Sequence, residues 1–260
     1  MTTTSSAVPP RHRSPLAVMA ATETKLLLRD PAAVIFPLLL PLALVLVLGL
    51  GIPGLRQPMP ELGGQRWLDT QLPATMTLLS AALTALTILP VVLTTYRDSG
   101  VLRRMSTTPA PPARLLAVQL VLYLVLVLAA TALMIVLGRV VVGIAVPMSF
   151  AWFVLVLLLG TAALLALGLL LAVLTPSAKA APGMGTLVMF PLLFFGGMWV
   201  PYETMPAGLQ RFSDLTPTGA FSQALRATWS GTAPQPLQLA VLAGWLLVAG
   251  ILANRLFRWE

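Results

Sequence analysis

The sequence predicts an all-α polytopic membrane protein, and three features carry that prediction. Hydrophobic residues make up 58% of the 260 positions and charged residues only 9%, against roughly 25% charged in soluble domains. The apolar residues fall in blocks of about twenty, the length that crosses bilayer hydrocarbon as a helix. Between the blocks lie short islands that hold the charge and much of the Gly and Pro. The blocks predict six transmembrane helices, with an N-terminal interfacial amphipathic helix before them and half-inserted external helices before the last span.

Residues 1–14 (MTTTSSAVPPRHRS) are polar, Pro-containing and basic, which reads as a flexible cytoplasmic tail. A signal peptide requires an apolar region and a small-residue cleavage site directly after such charges, and neither follows. In residues 15–30, Leu16, Met19, Ala20, Glu23, Leu26 and Leu27 recur at near-helical spacing, and Pro15 suits a first helical turn. An amphipathic helix lying along the inner interface accounts for this pattern; a plain cytosolic extension of the first span is the simpler alternative.

Residues 31–260 are read as the six-span transmembrane domain. The first span, 32–52, contains Pro37 and Pro41, which kink a helix and leave carbonyls for neighbours to cover. Residues 53–71 form a polar external loop. The second span, 72–95, places Thr77, Ser80, Thr84 and Thr87 on one helical face. Those hydroxyls serve either close helix packing or the wall of a polar-tolerant pathway, and the spacing fits both.

A basic, Pro-rich cytoplasmic loop follows at 96–114, reading YRDSGVLRRMSTTPAPPAR, with Arg97, Arg103, Arg104 and Arg114. The third span, 115–137, is nearly pure aliphatic and faces lipid over much of its surface. The fourth, 150–174, carries Gly160, Gly168 and Ala172, small enough for close helix approach. A tight turn with Lys179 leads to the fifth span, 182–200. That span is interrupted by Gly183, Gly185, Pro191, Gly196 and Gly197, so an irregular helix is expected. Residues 201–236 mix Tyr202, Phe212, Phe221 and Trp229 with Glu203, Arg211, Asp214 and Arg226, the composition of an external re-entrant region. The last span, 237–254, ends in a cationic and aromatic anchor, Arg255, Phe257, Arg258 and Trp259.

Six spans put both termini on one side. That side holds Arg11, Arg13, Lys25, Arg29, Arg97, Arg103, Arg104, Arg114, Lys179, Arg255 and Arg258. The other holds Arg56, Arg66, Arg139, Arg211 and Arg226. The positive-inside rule makes the richer side cytoplasmic. The net charge of +8 is thereby read as topology signals against anionic membrane lipid, and nucleic acid is not an expected partner.

The chemistry of the spans is sparse. The chain has no cysteine and one histidine, His12 in the polar tail, so no thiol chemistry and no metal site are expected. No acid or base sits well inside any span, as an intramembrane enzyme or an ion-coupled carrier would require. The two lysines, Lys25 and Lys179, lie outside any Gly-rich phosphate loop. The expectation is a non-catalytic scaffold with a path through it and an energy source outside it.

Four stretches then carry a resemblance. They are Leu28-Arg29-Asp30-Pro31 before Pro37 and Pro41; Arg97-Asp98-Ser99-Gly100-Val101-Leu102-Arg103-Arg104-Met105, running on to Thr108-Pro109; Gly196-Gly197-Met198-Trp199-Val200-Pro201 with Met205-Pro206; and Thr216-Pro217 with Leu225-Arg226. In order and spacing, over about residues 16–254, they resemble the ABC-2 type (type-2) ABC exporter permeases. That bacterial group includes daunorubicin-resistance-type drug exporters and polysaccharide or lipid-linked exporters. Asp98 stands where the family pattern has Glu, Val101 where it has Thr, and Thr216 where it has Asn.

The resemblance implies a multi-pass subunit of the bacterial cytoplasmic membrane that pairs with a second permease copy or homologue. It also implies two separately encoded ATP-binding subunits, which would hold ATP and Mg; no cofactor is expected in this chain. By the same resemblance Arg97, Asp98, Gly100, Leu102, Arg103, Arg104 and Met105 form a coupling helix docked on the ATPase, and the N-terminal helix touches it too. The second and fifth spans would line the pathway, through Thr77, Ser80, Thr84, Thr87, Met189, Phe190 and Phe194. A pathway without charge suits hydrophobic or amphipathic cargo such as drugs or lipid-like molecules. A non-transporting anchor or sensor subunit, and less readily a secondary carrier, remain the competing readings.

Overall fold

The computed structural model describes residues 15–59, 64–101, 104 and 112–256. The described residues form nine longer helices: α1 (Pro15–Arg29), α2 (Pro31–Gly51), α3 (Trp67–Asp98), α4 (Pro112–Val141), α5 (Phe150–Leu174), α6 (Ala181–Phe195), α7 (Ala207–Leu215), α8 (Pro217–Trp229) and α9 (Pro236–Leu256), with short 3-10 turns at Pro53–Arg56 and Tyr202–Thr204. Five of them, α2, α3, α4, α5 and α9, are long and apolar enough to cross a membrane, and α6 is a shorter apolar helix. The chain is an all-α polytopic membrane protein.

Helices α2 to α5 alternate in direction, and α9 runs the same way as α5. One end of the bundle gathers the α1–α2 junction, the end of α3 and the α5–α6 turn; we call it the α1 end. The far end gathers the starts of α3, α5 and α9, together with α7 and α8. Two far-end contacts fix this arrangement: Ala145 N donates to Asp69 Oδ1 at 2.9 Å, and Trp229 Nε1 donates to Ala145 O at 3.1 Å.

The central helix is α3. Its most apolar stretch is 72% buried within the subunit, against 22% for α9 and 33% for α2 and α4. It also begins earlier than the apolar block does. Residues 67–71, expected in an external loop, form its first turn. Asp69 sits in that turn, where a carboxylate offsets the positive helix terminus, and Arg66 clasps it at 2.6 Å.

Midway, α3 departs from regular geometry. Residues Leu83–Ile88 form a π turn, with Leu89 N bonding Thr84 O, and Pro90 follows directly. Proline has no N–H to give, so carbonyls a turn before it lose their donor. The neighbouring helices meet that segment with glycine. A Cβ on Gly168 of α5 would lie 1.8 Å from Ala85 O, and one on Gly185 of α6 would lie 2.4 Å from Leu86 O. A second proline is served differently. Pro41 deprives Pro37 O of its helical donor, and Ser80 Oγ donates to that carbonyl from α3 at 2.7 Å. Such an interhelical bond contributes on the order of 0.6 kcal/mol in membranes.

The expected fifth span, 182–200, is cut short. α6 ends at Phe195 and spans only about 22 Å, short of the roughly 30 Å of hydrocarbon. Gly197, at φ +78°, closes it: Gly197 N bonds Phe194 O and Met198 N bonds Leu193 O, a Schellman stop. Of the segment at 201–236, α7 leaves Leu209, Phe212 and Leu215 exposed. By contrast α8 is buried among α3, α5, α6 and α9.

The Gly168 contact makes a direct prediction. Gly168→Val should lower the thermal stability of the purified subunit by about 1–3 kcal/mol, the range for overpacking. Gly183→Ala, whose added Cβ meets nothing within 4 Å, should change it by a few tenths. Equal effects in thermal unfolding would contradict this packing.

Candidate functional site

The predicted coupling stretch begins where α3 leaves the bundle at the α1 end. Ser99 caps the helix and Gly100 takes φ +71°, a left-handed turn that favours glycine. Arg104 N then bonds Gly100 O at 3.0 Å, and its guanidinium donates to Ser99 O at 3.2 Å. Leu102, Arg103 and Met105 lie outside the described residues, as does the tail at 1–14.

Arg97 and Asp98 turn inward, onto their own subunit. Arg97 Nη2 donates to Thr175 O at 2.7 Å and Nη1 to Ala172 O at 3.4 Å. Those carbonyls belong to the last turn and cap of α5, where a cation offsets the negative helix terminus. Asp98 Oδ2 accepts from Ala178 N at 2.7 Å, in the turn that leads to α6. The end of α3 and the α5–α6 turn are thus held together through three hydrogen bonds.

Beside this clamp lies a polar cluster that the residue pattern did not single out. Glu23 of α1 accepts on Oε2 from Tyr96 Oη at 2.8 Å and from Gln119 Nε2 at 2.5 Å. The contact joins α1 to the end of α3 and to the start of α4. Glu23 is 8% exposed and Gln119 is 4% exposed. Burial raises the Glu23 carboxyl above the usual carboxylate range, and the Tyr96 hydrogen bond only partly offsets this. The visible sign in the sequence was Gln119 and Tyr123, four apart in an otherwise aliphatic block, the spacing of one helical face.

The predicted pathway residues separate into two groups. Thr77, Ser80 and Thr84 are buried inside the subunit. Their hydroxyls donate to Pro73 O, Pro37 O and Ser80 O at 2.7–2.8 Å. Thr87, half-buried, reaches Met189 Sδ at 3.5 Å, so α3 and α6 do meet through this face. Phe190 is exposed and stacks on Trp199 with ring centroids 5.8 Å apart. Phe194 is half-buried and packs edge-on to Phe195.

At the far end, a cavity of about 360 Å³ is bordered by Tyr202, Glu203, Gln223 and Arg226. Glu203 and Arg226 pair with each other there. Close by, Gln71 of α3 is 1% exposed and neither of its amide atoms has a hydrogen-bond partner among the described residues. Leaving such a group unsatisfied costs about 1–3 kcal/mol.

The raised Glu23 carboxyl sets a pH dependence. A folded-state value above the unfolded one means stability is fully present at pH below the unfolded value, near 4.5. It is lost as pH rises through the folded value. Glu23→Gln keeps an acceptor for Tyr96 and Gln119 without the charge. It should therefore melt higher than wild type at pH 8, with the gap closing near pH 4. A gap that is absent at pH 8, or larger at pH 4, would contradict the assignment.

No curated protein matches the chain. The family profile described as ABC-2 type transporter matches residues 15–229, which takes in α1 through α8 and so both the clamp and the Glu23 cluster. A match over that much of a bundle with these spans is decisive: the chain belongs to the ABC-2 type transporter family and is a transmembrane permease subunit of an ABC transporter.

Proposed function

We propose that this permease exports hydrophobic or amphipathic cargo, powered by ATP that a separate ATP-binding subunit hydrolyses. The observation that carries the reading is the clamp of Arg97 on Thr175 O and Asp98 on Ala178 N. A coupling segment that only docked on a partner would need no such attachment to two further helices. Here a push on residues 98–105 reaches the end of α5 and the start of α6 without passing through lipid. Family membership supplies the expected partner, since ABC-2 membrane subunits generally pair with an ABC ATP-binding subunit.

In this reading the α1 end is cytoplasmic, in the inner membrane of a bacterium, and both termini lie on that side. α1 lies along the inner interface, with the tail at 1–14 beyond it, and the segment at 201–236 is the external region. Arg103 and Arg104 meet the ATPase, while Arg97, Asp98 and Gly100 set the shape of the segment and Leu102 and Met105 complete its docking face. ATP and Mg belong to the partner. A second copy or homologue faces the open side of α6, where Phe190 and Trp199 stack. Thr87, Met189, Phe190 and Phe194 border the cargo path, while Ser80 ties α3 to α2 and Thr77 and Thr84 bond back onto α3 itself.

Three double variants separate these roles. Arg103→Glu with Arg104→Glu should abolish co-purification with the ATPase. Arg97→Gln with Asp98→Asn should leave co-purification intact yet cut ATP-driven transport about tenfold or more, roughly the loss of one 1.4 kcal/mol contact in the working cycle. Transport at the wild-type rate in that second variant would sink the clamp as a coupling element. Phe190→Ala with Thr87→Leu should change the transport rate or cargo preference while assembly stays normal; unchanged transport would reject the lining assignment.

A further inference from the structure

Between α1, α2, α3 and α4 at the α1 end lies a cavity of about 260 Å³. Its polar lining is Glu23, Asp30, Thr95, Tyr96, Gln119 and Tyr123; the rest is leucine, valine and alanine. Two carboxylates therefore share a largely apolar space in which, among the described residues, no Lys, Arg or His takes part. In a chain with twice as many basic as acidic residues, that pairing is conspicuous.

The hydrogen-bond ledger leaves capacity unused. Both donors to Glu23, Tyr96 and Gln119, land on the one oxygen Oε2, and no donor reaches Oε1 among the described residues. Asp30, an exposed residue at the rim of the cavity, spends Oδ1 on capping α2 through Ala32 N and Ala33 N, and no donor reaches its second oxygen among the described residues. The Tyr123 side chain is 1% exposed and borders the cavity, yet its hydroxyl makes no hydrogen bond among the described residues. Buried polar groups are normally satisfied. A carboxylate oxygen, a free hydroxyl and two tyrosine rings beside apolar walls suit a ligand with a cationic head and an apolar body.

We propose that this cavity is a binding site for amphipathic cations, an ammonium or aromatic cation seated against Glu23 and Asp30 with its apolar body along α1, α2 and α3. Anions and neutral polyols fit poorly, because the described lining offers carboxylates and no cation. The site goes beyond the export reading and does not require it, since binding involves no ATPase. Its occupant is either a soluble amphipathic cation taken from the cytoplasmic side or an amine-bearing membrane lipid, and the two share the same chemistry at the cavity.

The test uses the purified full chain in maltoside micelles, with a fluorescent styrylpyridinium monocation as probe and its uncharged styrylpyridine counterpart as control. Wild type should bind the cation saturably and the neutral compound without saturation. Glu23→Gln should weaken binding about tenfold or more, Asp30→Asn severalfold, and Glu203→Gln at the far end not at all. Asparagine retains the helix cap, so Asp30→Asn reports on the site independently of Glu23→Gln, as does Val91→Phe, which reduces the cavity. Displacement by phosphatidylethanolamine would identify the lipid as an occupant; displacement only by soluble amines would identify the cytoplasmic source. The proposal is overturned if wild type shows no saturable binding, or if Glu23→Gln, Asp30→Asn and Val91→Phe all bind as wild type does.

Discussion

The bundle depends on how α3 handles its own backbone. Pro90 forces a break in the hydrogen-bond ladder inside α3, and the chain answers with a π turn at Leu83–Ile88. Unsatisfied carbonyls in hydrocarbon are costly, so the segment must be covered by close protein. Gly168 and Gly185 permit that cover, because their missing side chains let α5 and α6 come against Ala85 O and Leu86 O. The same helix donates Ser80 Oγ to the carbonyl that Pro41 orphans in α2. Packing around α3 is thus fixed by backbone geometry together with its fully buried leucines, Leu68, Leu72, Leu78, Leu86 and Leu89. A π turn also marks a place where helices commonly bend at functional sites.

At the α1 end the constraints are polar. Glu23 ties α1 to α3 and α4, and Arg97 with Asp98 ties α3 to the α5–α6 turn. All of these contacts sit within a few residues of the end of α3. One helix terminus therefore gathers α1, α4, α5 and α6, and any partner that moves it moves a large share of the subunit. The two networks differ in kind. The Arg97 bonds satisfy the carbonyls of a helix end, while the Glu23 cluster places a carboxylate in a buried setting that raises its proton affinity.

Much of this was legible in the residues, and the failures have physical reasons. Block lengths and the Gly and Pro interruptions indicate the apolar helices, and Gly168, small enough for close approach, is the residue that meets Ala85 O. Residues 67–71 read as loop because Arg66, Asp69 and Gln71 are polar, yet Asp69 belongs in a first turn and is held by Arg66. The fifth span looked longer than α6 because Met198, Trp199 and Val200 are apolar, whereas Gly197 in the left-handed region ends the helix. The threonine face of α3 fitted packing and pathway equally; three of its hydroxyls are satisfied inside the subunit, and only Thr87 reaches α6. The Glu23–Tyr96–Gln119 cluster joins positions 96 residues apart at its extremes, a pairing no local pattern reveals.

The central claim is that the end of α3 and the α5–α6 turn travel as one body when the ATPase acts. The chain has no cysteine, so spin labels can be placed at Val101→Cys and Lys179→Cys without removing native thiols. Interspin distances would be measured in the ATP-free and ATP-trapped complexes. The account predicts a 101–179 distance that stays constant while both labels shift relative to one at Val136→Cys on α4. A 101–179 distance that changes as much as the distances to position 136 would contradict it.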